Sequence, residues 1–172
     1  SDLFKTFAVP ALTLLISIIL AFLIIGPIAT FASDLLGAAF TSLFNLNATI
    51  SGFLYGALIQ VCVMFGVHWG FVAISVNNLA TLGYDPITIA GLASAFGQAG
   101  VVLMIMLRTK NKKLKSVCGP AIISAMVGIT EPSIYGVTLQ FKKPFMLACL
   151  ASGIGGAIIG FGGVKQYVYG TN

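Results

Sequence analysis

At residues 128–136 the sequence reads Gly-Ile-Thr-Glu-Pro-Ser-Ile-Tyr-Gly, and this stretch contains the chain's only glutamate, Glu131. Apolar segments flank it, at 117–127 and 133–141. Pro132 disfavours one continuous helix, because proline lacks a backbone donor and its ring clashes with the preceding turn. An ionisable group between apolar segments is costly in a bilayer and by default marks a functional site. We therefore predict that Glu131 lies at a break inside a membrane; the competing interpretation is a surface turn.

The composition is that of a membrane protein. Of 172 residues, 58% are hydrophobic and 8% charged, whereas soluble domains carry about a quarter charged residues. The formal net charge is +5, and the basic excess is concentrated at 108–115, between two apolar segments. This cluster lacks the extended basic face of a nucleic-acid site. It is typical of a cytoplasmic loop under the positive-inside rule, with docking of an acidic cytoplasmic partner as the second interpretation.

Neither a metal site nor a cofactor site is predicted. Cys62, Cys118 and Cys149 lie far apart in apolar surroundings, which favours buried free thiols. One histidine and four dispersed carboxylates do not make the usual zinc or two-metal shell. Neither a Walker-type nor a dinucleotide glycine pattern occurs. The chain alone is therefore not expected to be a complete enzyme.

Several apolar segments have the length of a membrane span. The clearest is 87–107, which has the length of a tilted crossing. Gly156 and Gly160 in the last span have a spacing that allows close helix packing. The start without an initiator Met suggests a piece of a longer chain. The predicted spans are 8–25, ending at Gly26-Pro27; 28–44, either a second span or an interfacial helix; 87–107; and 145–164.

Two further segments are predicted to be helical hairpins. The first, 51–82, is broken at 66–70, where two glycines bracket the only histidine and the only tryptophan. The second, 117–141, has basic residues beyond both ends, so it should return to the membrane face that it left. Its 25 residues would also suffice for one crossing, and a re-entrant hairpin with Glu131 near its tip resolves that conflict. The predicted fold is an all-α membrane protein whose transmembrane helices accompany two re-entrant helical hairpins.

The uncommon residues of the chain cluster at these two breaks. Broken segments that carry polar groups toward the midplane are the recurrent way in which transporters build a substrate site. Glu131 can accept hydrogen bonds from two hydroxyls, and His68 can donate one and accept another. Such a site suits a neutral polyhydroxy ligand. The candidate substrate-binding residues are Glu131, His68, Thr130, Asn78 and Trp69, the last as a cover for an apolar sugar face.

Each candidate also has a structural interpretation. A lone histidine on an apolar face is often a hydrogen-bonded core residue. Asn77 and Asn78 can instead cap helix ends or pair with freed backbone groups. Both interpretations stay open at the level of the sequence.

The stretch 128–137, followed by Lys-Lys-Pro-Phe at 142–145, resembles the signature of the membrane-spanning IIC domain of bacterial phosphotransferase-system sugar permeases, glucose superfamily. Further similar stretches lie at 64–70, 77–85 and 110–116. Together they most resemble the β-glucoside, sucrose and trehalose branch, and the resemblance covers essentially the whole chain.

The resemblance implies a dimeric, multi-pass carrier of the bacterial inner membrane. Such carriers bind a sugar between re-entrant hairpins and displace a substrate-binding domain against a dimerisation domain. A phosphocysteine of a IIB domain phosphorylates the sugar, with phosphate that comes from phosphoenolpyruvate through IIA. By this resemblance Glu131 bonds sugar hydroxyls near the one that receives phosphate, where a catalytic role stays open, and His68 lies beside it.

On the same resemblance, residues 1–172 correspond to the substrate-binding half of a longer IIC domain. The IIB cysteine motif, the IIA histidine region and the first half of IIC, through which a homodimer would form, have no counterpart in it. Two other classes of function remain as alternatives: a proton- or cation-coupled secondary transporter that uses Glu131, and a non-transporting membrane assembly or sensor subunit.

Overall fold

The structure, a computed structural model, describes residues 2–169, most of which are helical. The only pairing of strand type within these residues is an isolated bridge between Asp85 and Gln166. The prediction of an all-α fold is confirmed. The helices are α1 (Asp2–Leu20), α2 (Gly26–Leu46), α3 (Ala48–Met64), α4 (Trp69–Leu82), α5 (Leu92–Arg108), α6 (Lys112–Met126), α7 (Glu131–Ser133) and α8 (Lys142–Phe161), with π turns at Ala21–Ile25 and Ile134–Thr138 and a 3-10 turn at Thr88–Gly91.

Helices α1 and α2 are joined end to end by the π turn Ala21–Ile25, so the predicted helix end at Gly26-Pro27 is wrong. The Gly26 N–H donates to the carbonyl of Ala21, five residues earlier. This wider turn accommodates Pro27, whose ring would clash with the carbonyl four residues before it in a regular α-helix. The segment 28–44 therefore continues the first helix instead of forming a separate element.

Three helical segments of the described chain are long and apolar enough to cross a membrane: Lys5–Leu46, Thr88–Arg108 and Lys142–Phe161. The last two match the predicted spans at 87–107 and 145–164. At 1.5 Å per residue, the first segment is about twice as long as the roughly 30 Å hydrocarbon core. Its C-terminal part packs on the rest of the fold through Phe40, whose ring makes edge-on contacts with Tyr55 and Phe71.

Helices α3 and α8 pack antiparallel at the closest distance that backbones allow. A Cβ atom built on Gly156 would overlap the carbonyl oxygen of Gly52, and one built on Gly160 would overlap that of Ala48. Gly56 likewise faces the carbonyl of Ser152. Small residues thus recur at every fourth position on both helices, and this pattern favours close helix packing in membranes. The spacing of Gly156 and Gly160 predicted the α8 half of this pattern, whereas the α3 half was not predicted from the sequence.

Two helix-turn-helix units occupy the predicted hairpin segments: hairpin 1 is 48–82 and hairpin 2 is 112–141. Both tips are Schellman turns, in which a glycine with positive φ closes the first helix. Gly66 has φ 74° and Gly128 has φ 86°. In hairpin 1 the Val67 N–H donates to the Cys62 carbonyl at 3.1 Å, and in hairpin 2 the Ile129 N–H donates to the Ser124 carbonyl at 3.0 Å.

The two hairpins point toward each other from opposite ends of the helix bundle. Both ends of hairpin 2 lie at the end where α5 finishes and α8 begins, since Leu114 and Phe141 line one groove with Arg108 and Lys142. The return of hairpin 1 lies at the other end, where Asp85 pairs with Gln166 beyond the end of α8. The tips therefore meet within the bundle. Their re-entrant placement in a bilayer is part of the proposal below.

Candidate functional site

His68 and Glu131 meet where the two hairpin tips come together. The Nε2 atom of His68 lies 3.8 Å from Oε1 of Glu131, and the side chains are 20% and 42% exposed. His68 directly precedes α4, and Glu131 is the first residue of α7. Each side chain thus stands at the start of a returning helix, directly after a glycine turn. The fold brings the chain's only histidine and only glutamate together across 63 positions of sequence.

The His68 ring keeps part of its hydrogen-bonding capacity unused. Its Nδ1 atom is buried and has no hydrogen-bond partner among the described residues. A buried polar atom without a partner is destabilising, and such atoms are uncommon enough to require an explanation. The Trp69 ring lies beside the imidazole, with 5.6 Å between ring centroids. The imidazole and indole rings therefore lie together at the tip of hairpin 1.

A cavity of about 560 Å³ is lined by His68, whereas Glu131, Thr130, Trp69 and Asn78 are not among its lining residues. Its volume falls within the range of small-molecule sites, roughly 300–1,000 Å³. Aromatic rings of Tyr55 and Phe71 form part of the wall, and Gly128 lies at the tip of hairpin 2. Several of its polar lining residues were not anticipated from sequence, because they come from four separate segments and no motif connects them. These are Ser75, Thr88, Ser94, Gln166 and Tyr169.

The predicted site residues divide into two groups. Glu131, His68, Thr130 and Trp69 lie at the meeting tips; Thr130 is buried, whereas Trp69 is largely exposed. Asn78 is not brought to the pair. It lies toward the far end of α4, where its Nδ2 donates to the Asp85 carboxylate at 2.9 Å.

Asp85 is fully buried and organises the return from hairpin 1 into α5. Besides Asn78, its carboxylate accepts hydrogen bonds from the backbone N–H groups of Ile87 and Thr88, each at 3.2 Å, and from the Thr88 hydroxyl. A carboxylate in this position caps the 3-10 turn Thr88–Gly91. The hydroxyls of Ser75 and Thr88 are 3.1 Å apart, and both residues form part of the cavity wall.

A buried network of polar side chains connects hairpin 2 to the helices that pack against it. Thr138, in the π turn after Glu131, donates to the Gln98 side chain at 3.0 Å. Gln98 donates to Gln60, and Gln60 donates to the Ala148 carbonyl at 3.3 Å and to the Ser152 hydroxyl. The network therefore connects hairpin 2 to α3, α5 and α8. Single glutamines within apolar segments are the sequence signal that indicates such a network.

Within residues 2–169, no group of three or more His, Cys, Asp or Glu side chains is placed to hold a metal ion. The groups that the fold brings together are one carboxylate and one imidazole.

The fold and the site define a class: a helical membrane protein in which two opposed hairpins bring a polar pair together beside a cavity. The family model of the phosphotransferase system EIIC domain matches residues 2–153. The chain belongs to this family.

Curated relatives match nearly the whole chain. It is 46% identical to the beta-glucoside-specific EIIBCA component of Halalkalibacterium halodurans, over 98% of this chain and 27% of the relative. Identity to the beta-glucoside-specific EIIBCA component of Dickeya chrysanthemi is 41%, over 96% and 26%. Identity to the sucrose-specific EIIBC component of Bacillus subtilis is 31%, over 94% and 35%. The chain thus spans between a quarter and about a third of these relatives' length. No solved structure gives a significant match.

Proposed function

We propose that this chain is the substrate-binding part of a phosphotransferase-system permease, which binds a glucoside or disaccharide between the two hairpin tips during uptake. The observation that carries the proposal is the His68–Glu131 pair, 3.8 Å apart where the tips meet. A cavity of about 560 Å³ that His68 helps to line provides room for a sugar. The names of the relatives above favour a β-glucoside or sucrose-like substrate.

In this proposal both hairpins are re-entrant, and they enter a bacterial inner membrane from opposite faces. The basic residues at 108–115 and 142–143 lie at one end of the bundle and mark the cytoplasmic face. Helix α6 has 15 residues, so it is about 22 Å long and ends within a hydrocarbon core of about 30 Å. Glu131 then lies at membrane depth, inside protein, where broken segments are tolerated because they line a cavity.

The pair would bind the sugar and orient it for phosphorylation by another domain. An ionised Glu131 is an acceptor only and takes hydrogen bonds from two hydroxyls, while His68 donates to or accepts from a third. Charge-assisted bonds of this kind are stronger and shorter than neutral ones. The proposed phosphate donor is the phosphocysteine of a IIB domain, supplied through IIA. The remaining partners in this proposal are the lipid bilayer and a second copy of the permease, joined through a part of the IIC domain that precedes this one.

Thermal unfolding of the intact permease in detergent tests the proposal. We expect a β-glucoside, sucrose or trehalose to raise the unfolding midpoint, because a ligand that binds only the folded state stabilises it, by about 2.7 kcal/mol at a hundred times its Kd. Glycerol at equal osmolality is the control for nonspecific effects. If no glucoside or disaccharide shifts the midpoint, or if uptake follows a proton gradient and leaves the sugar unphosphorylated, the proposal fails.

Tyr135 is expected to hold the two tips in register. Its hydroxyl lies 3.0 Å from the Met64 carbonyl and 3.3 Å from that of Val63, so it ties hairpin 2 to the end of α3 just before His68. We expect Tyr135→Phe to raise the KM for sugar about two- to tenfold, as the loss of one hydrogen bond implies, with little change in the phosphorylation rate at saturating sugar.

Tyr84→Phe is the matched control. Tyr84 lies away from the hairpin tips, where hairpin 1 returns, and its ring faces the Lys165 ammonium. Both variants are compared in initial-rate assays of sugar phosphorylation. Equal KM values for Tyr135→Phe and the wild-type permease would show that the tyrosine hydroxyl does not position the pair.

A further inference from the structure

A groove of about 960 Å³ runs along the outer surface between α5 and α8, away from the sugar cavity. Along most of its length the walls are apolar, from Phe96, Val101, Met104 and Leu147. Its end at the cytoplasmic loop is basic, with Arg108, Lys142 and Lys143 around it. We call this feature the basic groove. Its two halves differ in chemistry, as the two ends of an amphiphile do.

The three cations of the basic groove have no carboxylate partner in the described part of the chain. The ion pair found among the described residues is His68–Glu131, which lies at the hairpin tips. No acidic residue lines the groove. The first turn of α8 contains Lys142 and Lys143, and the exposed N–H groups of a helix start add positive potential. The mouth of the groove is therefore an uncompensated positive site.

The apolar part of the groove has the depth of one membrane leaflet. Phe96 and Arg108 are twelve positions apart on α5, which corresponds to about 18 Å along the helix. Half of the hydrocarbon core is about 15 Å. Phe96, Met104 and Leu147 are each about half exposed along this length. At Gly100 a Cβ atom would meet nothing within 4 Å, so the floor of the groove is open.

We propose that the basic groove binds an anionic phospholipid of the cytoplasmic leaflet. Its phosphate would lie among Arg108, Lys142 and Lys143, and one acyl chain would lie against the apolar wall. Basic pockets between transmembrane helices on the cytoplasmic side recognise such headgroups. An acidic protein partner would satisfy the charges only and would leave the apolar length uncovered. The proposal requires that the basic end faces the cytoplasm, and it is independent of whether the hairpin tips bind sugar.

The test uses the full-length permease in detergent, with phosphatidylglycerol or phosphatidylcholine of identical acyl chains added at increasing concentration. Bound lipid is counted by native mass spectrometry, and the unfolding midpoint is measured in parallel. We expect phosphatidylglycerol, and not phosphatidylcholine, to bind with one site per protomer at this groove and to raise the midpoint.

Two variants separate the groove from general surface charge. Arg108→Gln with Lys142→Gln and Lys143→Gln should weaken phosphatidylglycerol binding about a hundredfold, given about 1 kcal/mol for each cation near anionic lipid. Lys110→Gln with Lys112→Gln and Lys113→Gln removes the same charge outside the groove lining and should change binding less than threefold. Gly100→Leu keeps every cation but fills the floor, and should also weaken binding.

Equal weakening by both triple variants would overturn the proposal, as would equal binding of the two lipids or no lipid-dependent shift. Binding that persists in the groove triple variant while phosphorylation by IIB is lost would assign the cations to an acidic protein partner and would likewise overturn it. A sugar-dependent melting shift, measured in every variant, reports on folding and on the sugar site separately from the lipid.

Discussion

Glu131→Gln is expected to abolish sugar uptake by the full-length permease while the protein still inserts into the membrane. The amide has nearly the shape of the carboxylate but no charge, and it offers only one acceptor oxygen. Each hydrogen bond to a charged group contributes about 1.5–3 kcal/mol. Two such bonds to sugar hydroxyls, if lost, lower affinity by at least a hundredfold, since 1.4 kcal/mol is tenfold.

The measurement is uptake of labelled β-glucoside, sucrose and trehalose by cells whose only permease for these sugars is the variant. Asp34→Asn is the matched control, because Asp34 is an exposed carboxylate in α2 and undergoes the same chemical change. The amounts of permease in the membrane fraction and the elution profiles in detergent must agree among wild type, variant and control. If Glu131→Gln retains more than a tenth of wild-type uptake, the carboxylate is not part of the sugar-binding site.

The second large effect concerns the packing of α3 on α8. Gly156→Ala should lower the stability of the permease by about 3 kcal/mol, the upper end of the usual cost of overpacking. The added methyl group would overlap the Gly52 carbonyl oxygen, which is backbone and has no rotamer with which to move away. The two helices must therefore separate, and the buried bonds of Gln60 to α8 lengthen with them.

Gly100→Ala is the control for this experiment, because the same methyl group there meets no atom within 4 Å. Alanine favours a helix over glycine by about 1 kcal/mol, so one chemical change should lower stability at position 156 and raise it, or leave it unchanged, at position 100. Unfolding midpoints in lipid-free detergent provide the comparison. Equal midpoints for the two variants would mean that α3 and α8 are not in backbone contact.

The sequence predicted most of the helical architecture, and the reason differs among elements. The spans followed from apolar length alone. Hairpin 2 was predicted from charge, because basic residues beyond both ends favour a return to the same membrane face. Its helix-turn-helix form is observed, and its re-entrant placement stays a prediction. Glycine marked both tips, since a Schellman turn needs a residue that tolerates positive φ. These are local signals, and each can be recognised within about thirty positions.

The missed polar network depends on distant partners. Gln60, Gln98 and Thr138 form one network, although up to 78 positions separate them, and no local pattern indicates which polar residue a buried amide will find. A ligand contact of Asn78 stays a prediction, and its hydrogen bond to the Asp85 carboxylate depends on the shape of the turn between α4 and α5. The π turn before Pro27 was missed because a proline after glycine ordinarily indicates a helix end.

The contact between α3 and α8 has a mechanical consequence for transport. Two glycines of each helix face backbone carbonyls of the other at four-residue intervals, so the two helices interlock. Sliding one along the other to the next matching position requires about 6 Å, at 1.5 Å per residue. Packed interfaces of this kind shift between discrete states and do not deform gradually. In the transport proposed above, we therefore expect α3 and α8 to move together as one unit, so that the movement is accommodated at other contacts.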